Sequence, residues 1–177
     1  MQVTLVPVAR EEAGQVYEIM LQSFVSEERR DEKGFYAALE NAAYKLYHIA
    51  ADGKISGFIG LWEVCGGAFV EHIAISPDCR GSGMGSAAMK AVQQRYGSVV
   101  LEIEPPTGGD RLRRYNFYAA LGFKLNDVDY FQPPYRPGDA PVAMKLLSWP
   151  DALPDCKSAV NAIYSTVYGI KCAEGEE

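Results

Sequence analysis

Basic charge is in short supply in this chain. Seventeen lysines and arginines stand against 23 aspartates and glutamates, for a formal net charge of −6. A general nucleic-acid binder needs a basic face to meet phosphates, so that class is set aside. An acidic surface mildly favours a cationic substrate, although net charge says little about any one pocket. Closely spaced cysteines are also lacking. Cys65, Cys79, Cys156 and Cys172 are scattered, without the spacing of a zinc site or a redox pair. No metal site is expected, and the thiols read as reduced and mostly buried in a cytoplasmic protein. Arg10, Glu11 and Glu12 interrupt the opening, so no signal peptide is expected. Residues 55–70 carry one charge, Glu63, but Gly57, Gly60, Gly66 and Gly67 break the run. It is too short to cross a bilayer comfortably and reads as strands, so no membrane partner is expected. Internal repeats, low-complexity tracts and a second domain are not apparent.

The composition suits one globular domain: 177 residues, 48% hydrophobic and 23% charged. Val3, Leu5 and Val8 open a strand. Val16, Ile19, Met20 and Phe24 recur at helical spacing. A short helix is expected over residues 31–43, with Asp31 as N-cap and Gly34 as a weakness. Lys45 to Ala51, the turn Asp52-Gly53 and Lys54 to Val64 predict a hairpin, because Asp-Gly accommodates the positive φ angles of a type I′ turn. A turn at Gly66-Gly67 and a strand from Ala68 to Ile75 complete an antiparallel meander. A helix then runs to Tyr96, ends at Gly97, and is followed by a strand from Val99 to Glu104. Strand, helix, strand predicts a parallel crossover, hence a mixed α/β fold. Asp110 is expected to cap a helix from Arg111 to Leu121. Phe123 to Leu125 and Val142 to Trp149 predict a hairpin pair, and the aromatic, proline-rich segment between them reads as irregular. A last helix is expected over residues 155–168, followed by an acidic, frayed end.

The organising stretch is Arg80-Gly81-Ser82-Gly83-Met84-Gly85, between a strand and a helix. Glycine permits positive φ and close approach of a ligand. The first turn of a helix has unpaired N–H groups and a dipole that favours negative charge. This predicts a pyrophosphate cradle. A dinucleotide-binding unit would place its glycines directly after the first strand, and no Gly-Lys-Ser/Thr follows to make a Walker loop.

Two motifs together resemble the GCN5-related N-acetyltransferase (GNAT) superfamily. The glycine stretch matches the family's Q/R-x-x-G-x-G/A signature, and Phe117-Tyr118-Ala119-Ala120-Leu121-Gly122-Phe123 resembles its F-Y-x-x-x-G-F segment. The resemblance covers residues 1–149 and leaves 150–177 as a helical extension. It implies a central mixed sheet of six to seven strands flanked by helices. It also implies an acetyl-CoA-dependent N-acetyltransferase acting on a primary amine by direct attack in a ternary complex. The cofactor-binding residues it implies are Arg80, Gly81, Gly83, Gly85 and Ser86 for the pyrophosphate, with Ser82 and Met84 contributing N–H groups only, and Ile73, Ala74 and Ile75, through their backbone, for the pantetheine arm. A backbone N–H near Ile73 would be the oxyanion donor. Tyr118 takes the family's general-acid position, and Asn116 is placed near the thiol end. One departure is Arg111, where many members have Asn. It is read chiefly as part of a solvated face with Arg113 and Arg114.

The general base is open among Glu71, Glu102 and Glu104, ranked in that order, with water-mediated deprotonation as another route. Strand alternation would put Glu71 on the face of Ile73 and Ile75, with His72 opposite and structural. Tyr130 to Arg136 is a candidate acceptor wall, with Trp62 and Glu63 as further wall residues. No base is evident beside a cysteine, so no covalent acyl-enzyme is expected, although Cys79 adjoins the glycine turn. Two alternatives remain: a non-catalytic CoA-binding or sensing module, and an acyltransferase with another donor or a hydroxyl acceptor. The amine itself, and whether the chain forms a homodimer, are left open.

Overall fold

The computed structural model describes residues 2–170. The strands are β1 (Val3–Pro7), β2 (Tyr44–Ala51), β3 (Lys54–Val64), β4 (Gly67–Ile75), β5 (Val99–Ile103), β6 (Lys124–Leu125), β7 (Tyr130–Gln132) and β8 (Val142–Trp149). The helices are α1 (Ala13–Ser23), α2 (Glu32–Leu39), α3 (Met84–Tyr96), α4 (Gly109–Ala120) and α5 (Cys156–Val167). All eight strands form one mixed sheet in the order β1-β2-β3-β4-β5-β8-β6, with β7 paired to β8. The α/β class expected from the sequence therefore holds. The count exceeds six to seven partly because the segment expected to be irregular contributes β7, with Tyr130 opposite Met144 and Gln132 opposite Val142.

The hairpin forms at Asp52-Gly53, where both residues have positive φ. The next turn is shifted by one residue from the expected Gly66-Gly67. The positive φ angles fall at Cys65 and Gly66, and Gly67 already belongs to β4. Gly67 is needed there for space: a Cβ would lie 2.3 Å from the Ser98 carbonyl oxygen of the neighbouring segment. Asp31 does cap α2, and the group it caps is the Gly34 N–H at 2.7 Å, so the apparent weak point is where the helix is fastened. Asp110 does not cap α4. Gly108 occupies that position without a side-chain cap, and Asp110 pairs with Arg113 inside the helix.

Alternation along the strands divides the core into two layers. On one face Phe58, Phe69, Val100 and Leu146 pack with α1, α2 and the Ile163 and Val167 stripe of α5. On the other, Ile59, Leu61, Val70, Leu101 and Leu147 pack with Met84, Ala88, Met89 and Val92 of α3 and Tyr118 of α4. Each large apolar side chain buried this way contributes roughly 1.5–3 kcal/mol. The expected frayed acidic end, and Cys172 with it, lie outside the described residues. Among the described residues no helix is long and apolar enough to cross a membrane, and no group of three or more His, Cys, Asp or Glu could hold a metal ion.

Candidate active site

The sheet opens between β4 and β5. These strands pair in parallel only from Ala68–Val70 to Val99–Leu101, and no pairing continues beyond. Three cavities lie along this opening. A cleft of about 400 Å³ sits on the α3 side, lined by Ile73, Ile75, the glycine turn and Phe117. A gap of about 120 Å³ lies between the diverging strands, lined by Ile73, Tyr118, Glu71 and Glu102 among others. A third cavity, about 330 Å³, opens on the α1 side. Ile73 lines the first two, and Glu71, Glu102, Phe24 and Arg114 line the last two.

The first cleft is largely a backbone construction. Gly81 and Gly83 adopt φ of +76° and +82°, with open space where a Cβ would be, so their conformation rather than crowding calls for glycine. Gly83 is the N-cap of α3 and provides no side chain to occupy the N–H groups of the first turn. The first turn also lacks an acidic residue. Arg80 Nε donates to the Ile75 carbonyl at 3.0 Å, which fastens the turn to the strand, and the Ser82 hydroxyl donates to the Cys79 carbonyl at 2.6 Å, which braces the turn itself. This uncapped, glycine-built N-terminus suits the doubly charged pyrophosphate of CoA.

Of the expected donor-side residues, Ile73, Ile75, Arg80, Gly81, Gly83, Met84, Gly85 and Ser86 line this cleft. Ala74 is not among them; its side chain packs in the opposite core layer, and the role expected of it is a backbone one. Ser82 is at the turn but acts as a brace. Asn116 is exposed and is not among the lining residues, because two positions along a helix from Tyr118 turn it well away. Phe117, in the sequence only a member of a motif, walls the cleft along with Cys79. Arg111 turns to Glu104 at 2.8 Å, and Arg114 reaches the same carboxylate at 3.9 Å.

The acceptor side overturns one expectation. Glu71 does not share a face with Ile73 and Ile75. Opposite β3, Gly60 aligns with His72 but Leu61 aligns with Val70, so Glu71 is an extra residue, a β-bulge. The bulge resets the alternation and sends both Glu71 and His72 to the α1 side. There Glu71 accepts from Arg30 Nε at 3.0 Å and from Trp62 Nε1 at 2.8 Å, with Arg30 Nη2 at 2.9 Å. Arg30 lies over the rings of Trp62 and Tyr135, at 5.3 and 5.4 Å. Burial alone would raise the Glu71 carboxyl, but Arg30 and these hydrogen bonds hold it below the usual carboxylate range. Trp62 therefore stands behind Glu71, whereas Glu63 points to Lys45 at 3.8 Å, away from the site.

His72 is also fully enclosed. Its Nε2 meets the Glu28 carbonyl at 2.8 Å, and burial keeps the imidazole neutral by lowering its pKa. Glu102 has the opposite character to Glu71. Among the described residues no cation partners it; instead the hydroxyls of Tyr130 and Tyr168 each donate at 2.6 Å. Burial raises its pKa to about 7 against the effect of those bonds. Tyr118 is buried and pushed up to about 12, so it keeps its proton throughout the physiological range. Sequence reasoning missed Arg30, Tyr168 and Phe24 as site residues, since they come from segments with no motif.

A family model described as an acetyltransferase (GNAT) domain matches residues 42–125. A Bacillus subtilis protein assigned as a ribosomal-protein-bS18-alanine N-acetyltransferase is 33% identical over 81 residues, 46% of this chain and 53% of that one. The peptidyl-lysine N-acetyltransferase YiaC of Escherichia coli is 30% identical over 99 residues, 56% of this chain and 59% of that one. The matches thus span little more than half of these curated relatives. A solved structure from Bacteroides thetaiotaomicron assigned to the GNAT family superposes with a TM-score of 0.87 at 28% identity, covering 97% of this chain and 100% of that one.

Proposed function

We propose that this chain is a GCN5-related N-acetyltransferase, which moves an acetyl group from acetyl-CoA to a primary amine by direct attack in a ternary complex. The observation that carries this reading is the opening between β4 and β5. It brings Tyr118 from the α4 side and Glu102 from the α1 side to one 120 Å³ gap, adjoining the glycine-built cleft through Ile73. Residues 1–149 are the transferase domain in this reading, and 150–177 an extension to it.

The backbone N–H groups from Gly81 to Ser86 would hold the pyrophosphate, and the Ile73 and Ile75 edge of β4 would carry the pantetheine arm. Acetyl-CoA supplies an activated acyl group and a thiolate leaving group. Glu102, titrating near neutrality, takes the proton that the amine must lose. Tyr118 holds its phenolic proton and gives it to the departing sulfur as the C–S bond breaks. An N–H near Ile73 steadies the negative charge that develops on the carbonyl oxygen. Glu71, held ionised by Arg30, acts as a fixed negative charge beside the amine. Glu102 thus stands ahead of Glu71 as base, since a carboxylate tied to a buried guanidinium gives up little by staying ionised. The α1-side cavity carries Glu27, Glu28 and Glu102 between apolar walls of Phe24, Val142 and Met144, which favours a protonated amine attached to an apolar portion. The two curated relatives are named for protein amines, so peptide N-termini and lysines belong in the acceptor panel with small amines.

The test is release of CoA thiol from acetyl-CoA across that panel. Amine-dependent turnover with an acid limb near pH 7 is expected. Binding of CoA without turnover on any amine supports a sensor instead, and failure to bind CoA overturns the reading altogether.

A further inference from the structure

The tail reaches the centre of the acceptor side. Just past α5, the Tyr168 hydroxyl donates to Glu102 Oε1 at 2.6 Å, while Tyr130 from β7 donates to Oε2 at the same distance. Each carboxylate oxygen retains a further lone pair for an incoming proton. Glu102 itself lines both the gap between β4 and β5 and the acceptor cavity. The helix that delivers Tyr168 is firmly seated. Ile163 and Val167 are buried, Arg30 Nη2 donates to the Val167 carbonyl at 2.7 Å, and the Tyr164 hydroxyl donates to the Phe131 carbonyl at 2.7 Å. Arg30 therefore joins the end of α5 to Glu71. The Tyr168 ring also lies 5.8 Å from that of Tyr135.

We propose that the C-terminal extension completes the active site, with Tyr168 and Tyr130 as positioning residues that clamp the Glu102 carboxylate toward the amine and stabilise its ionised form. The proposal rests on Glu102 as the base in the reading above. The two donors meet different oxygens and come from different elements, so together they fix the plane of the carboxylate. Short O–H···O⁻ bonds of this kind are among the stronger hydrogen bonds in proteins. The remaining titratable groups around Glu102 are Tyr135 from the loop after β7, Glu71 and His72 from β4 with Arg30 behind them, and Glu27, Glu28, Glu104 and Arg114 at the cavity. The Glu71 charge opposes ionisation of Glu102, as burial does, and the two tyrosines oppose both. A tail that only covered the sheet would need the apolar stripe of α5 but no hydroxyl at Tyr168.

The experiment is Tyr168→Phe in the full chain, read in two ways. Carboxyl NMR of protein labelled with 13C-glutamate, with the Glu102 signal assigned by its loss in Glu102→Gln, follows that one titration. It is expected to move upward by about one pH unit, the worth of one hydrogen bond to a charged group. The pH profile of acetyl transfer to the best amine of the panel is expected to move its acid limb by the same amount. Turnover at pH 7 should fall about fivefold, as the ionised fraction of Glu102 drops, with the KM for acetyl-CoA within a factor of two. An unmoved Glu102 titration overturns the clamp. If that titration moves but wild-type protein acetylates no amine, the transferase reading fails while the clamp stands. Tyr130→Phe should move the titration in the same direction, and it decides between clamp and no clamp if the Tyr168 variant does not fold.

Discussion

The two faces of the sheet are built by different means. On the α3 side the cleft uses consecutive residues and mostly backbone groups: two glycines with positive φ, an uncapped helix N-terminus and the edge of one strand. On the α1 side the site is made of side chains from scattered segments. Arg30 precedes α2, Glu71 sits on a bulge of β4, Glu102 on β5, Tyr130 on β7 and Tyr168 after α5. A backbone site demands glycine at fixed spacing and tolerates variation elsewhere. A side-chain site demands a partner for every buried charge, which here links the proposed acceptor chemistry directly to fold stability.

The largest effect on that contrast is expected from Arg30→Ala. Removing the guanidinium leaves Glu71 buried without its cation, and a loss of about 3–5 kcal/mol in urea unfolding is expected at pH 8. The pH dependence should also reverse. In the wild type the Glu71 pKa is depressed, so its contribution is present above the unfolded value near 4.3 and is lost as pH falls through the folded value. Without Arg30, burial raises the pKa, and the variant should regain stability as pH is lowered from 8 toward 5. A loss that is the same at both pH values would contradict the assignment.

Tyr118→Phe comes next. It should lower turnover by about 10²–10⁴-fold with CoA binding intact, because it removes one proton donor and leaves the glycine turn untouched. Full turnover in this variant would remove Tyr118 from the mechanism. Glu102→Gln should separate function from stability. Its folded pKa is raised, so charged Glu102 costs stability that appears as pH rises from about 4 to 7. The glutamine variant should lose turnover yet unfold later at pH 8, by on the order of 2 kcal/mol. An earlier unfolding transition would mean that the tyrosines more than offset burial. Gly83→Ala places a Cβ at φ of +82°. A cost of about 1–2 kcal/mol and weaker CoA binding are expected, with KM for the amine unchanged. The smallest effect belongs to Glu28→Gln at the acceptor cavity, a rise of about two- to fivefold in amine KM that fades with salt.

Legibility follows the same division. The glycine turn, the meander and the parallel crossover can be read because each depends on residues close in sequence. The acceptor side fails at particular places. Alternation puts Glu71 on the wrong face because it assumes an unbroken period of two, and the bulge opposite Gly60 and Leu61 is invisible without the partner strand. Motif proximity carries Asn116 to the cofactor, although helix geometry turns it away from Tyr118. Arg30 has no signal at all, since its role comes from Glu71, Trp62 and Tyr135, none of which is its neighbour in sequence.

The proposed donor side is therefore encoded locally: a strand, a glycine turn and a helix N-terminus whose free N–H groups belong to the backbone, with a tyrosine standing one helix later. The proposed acceptor side exists only once the chain has folded. The ionisation of Glu71 and Glu102 depends on what long-range packing buries beside them, a buried guanidinium in one case and two tyrosine hydroxyls in the other. Two glutamates of the same chain thereby acquire opposite shifts, one below and one above the ordinary carboxylate value.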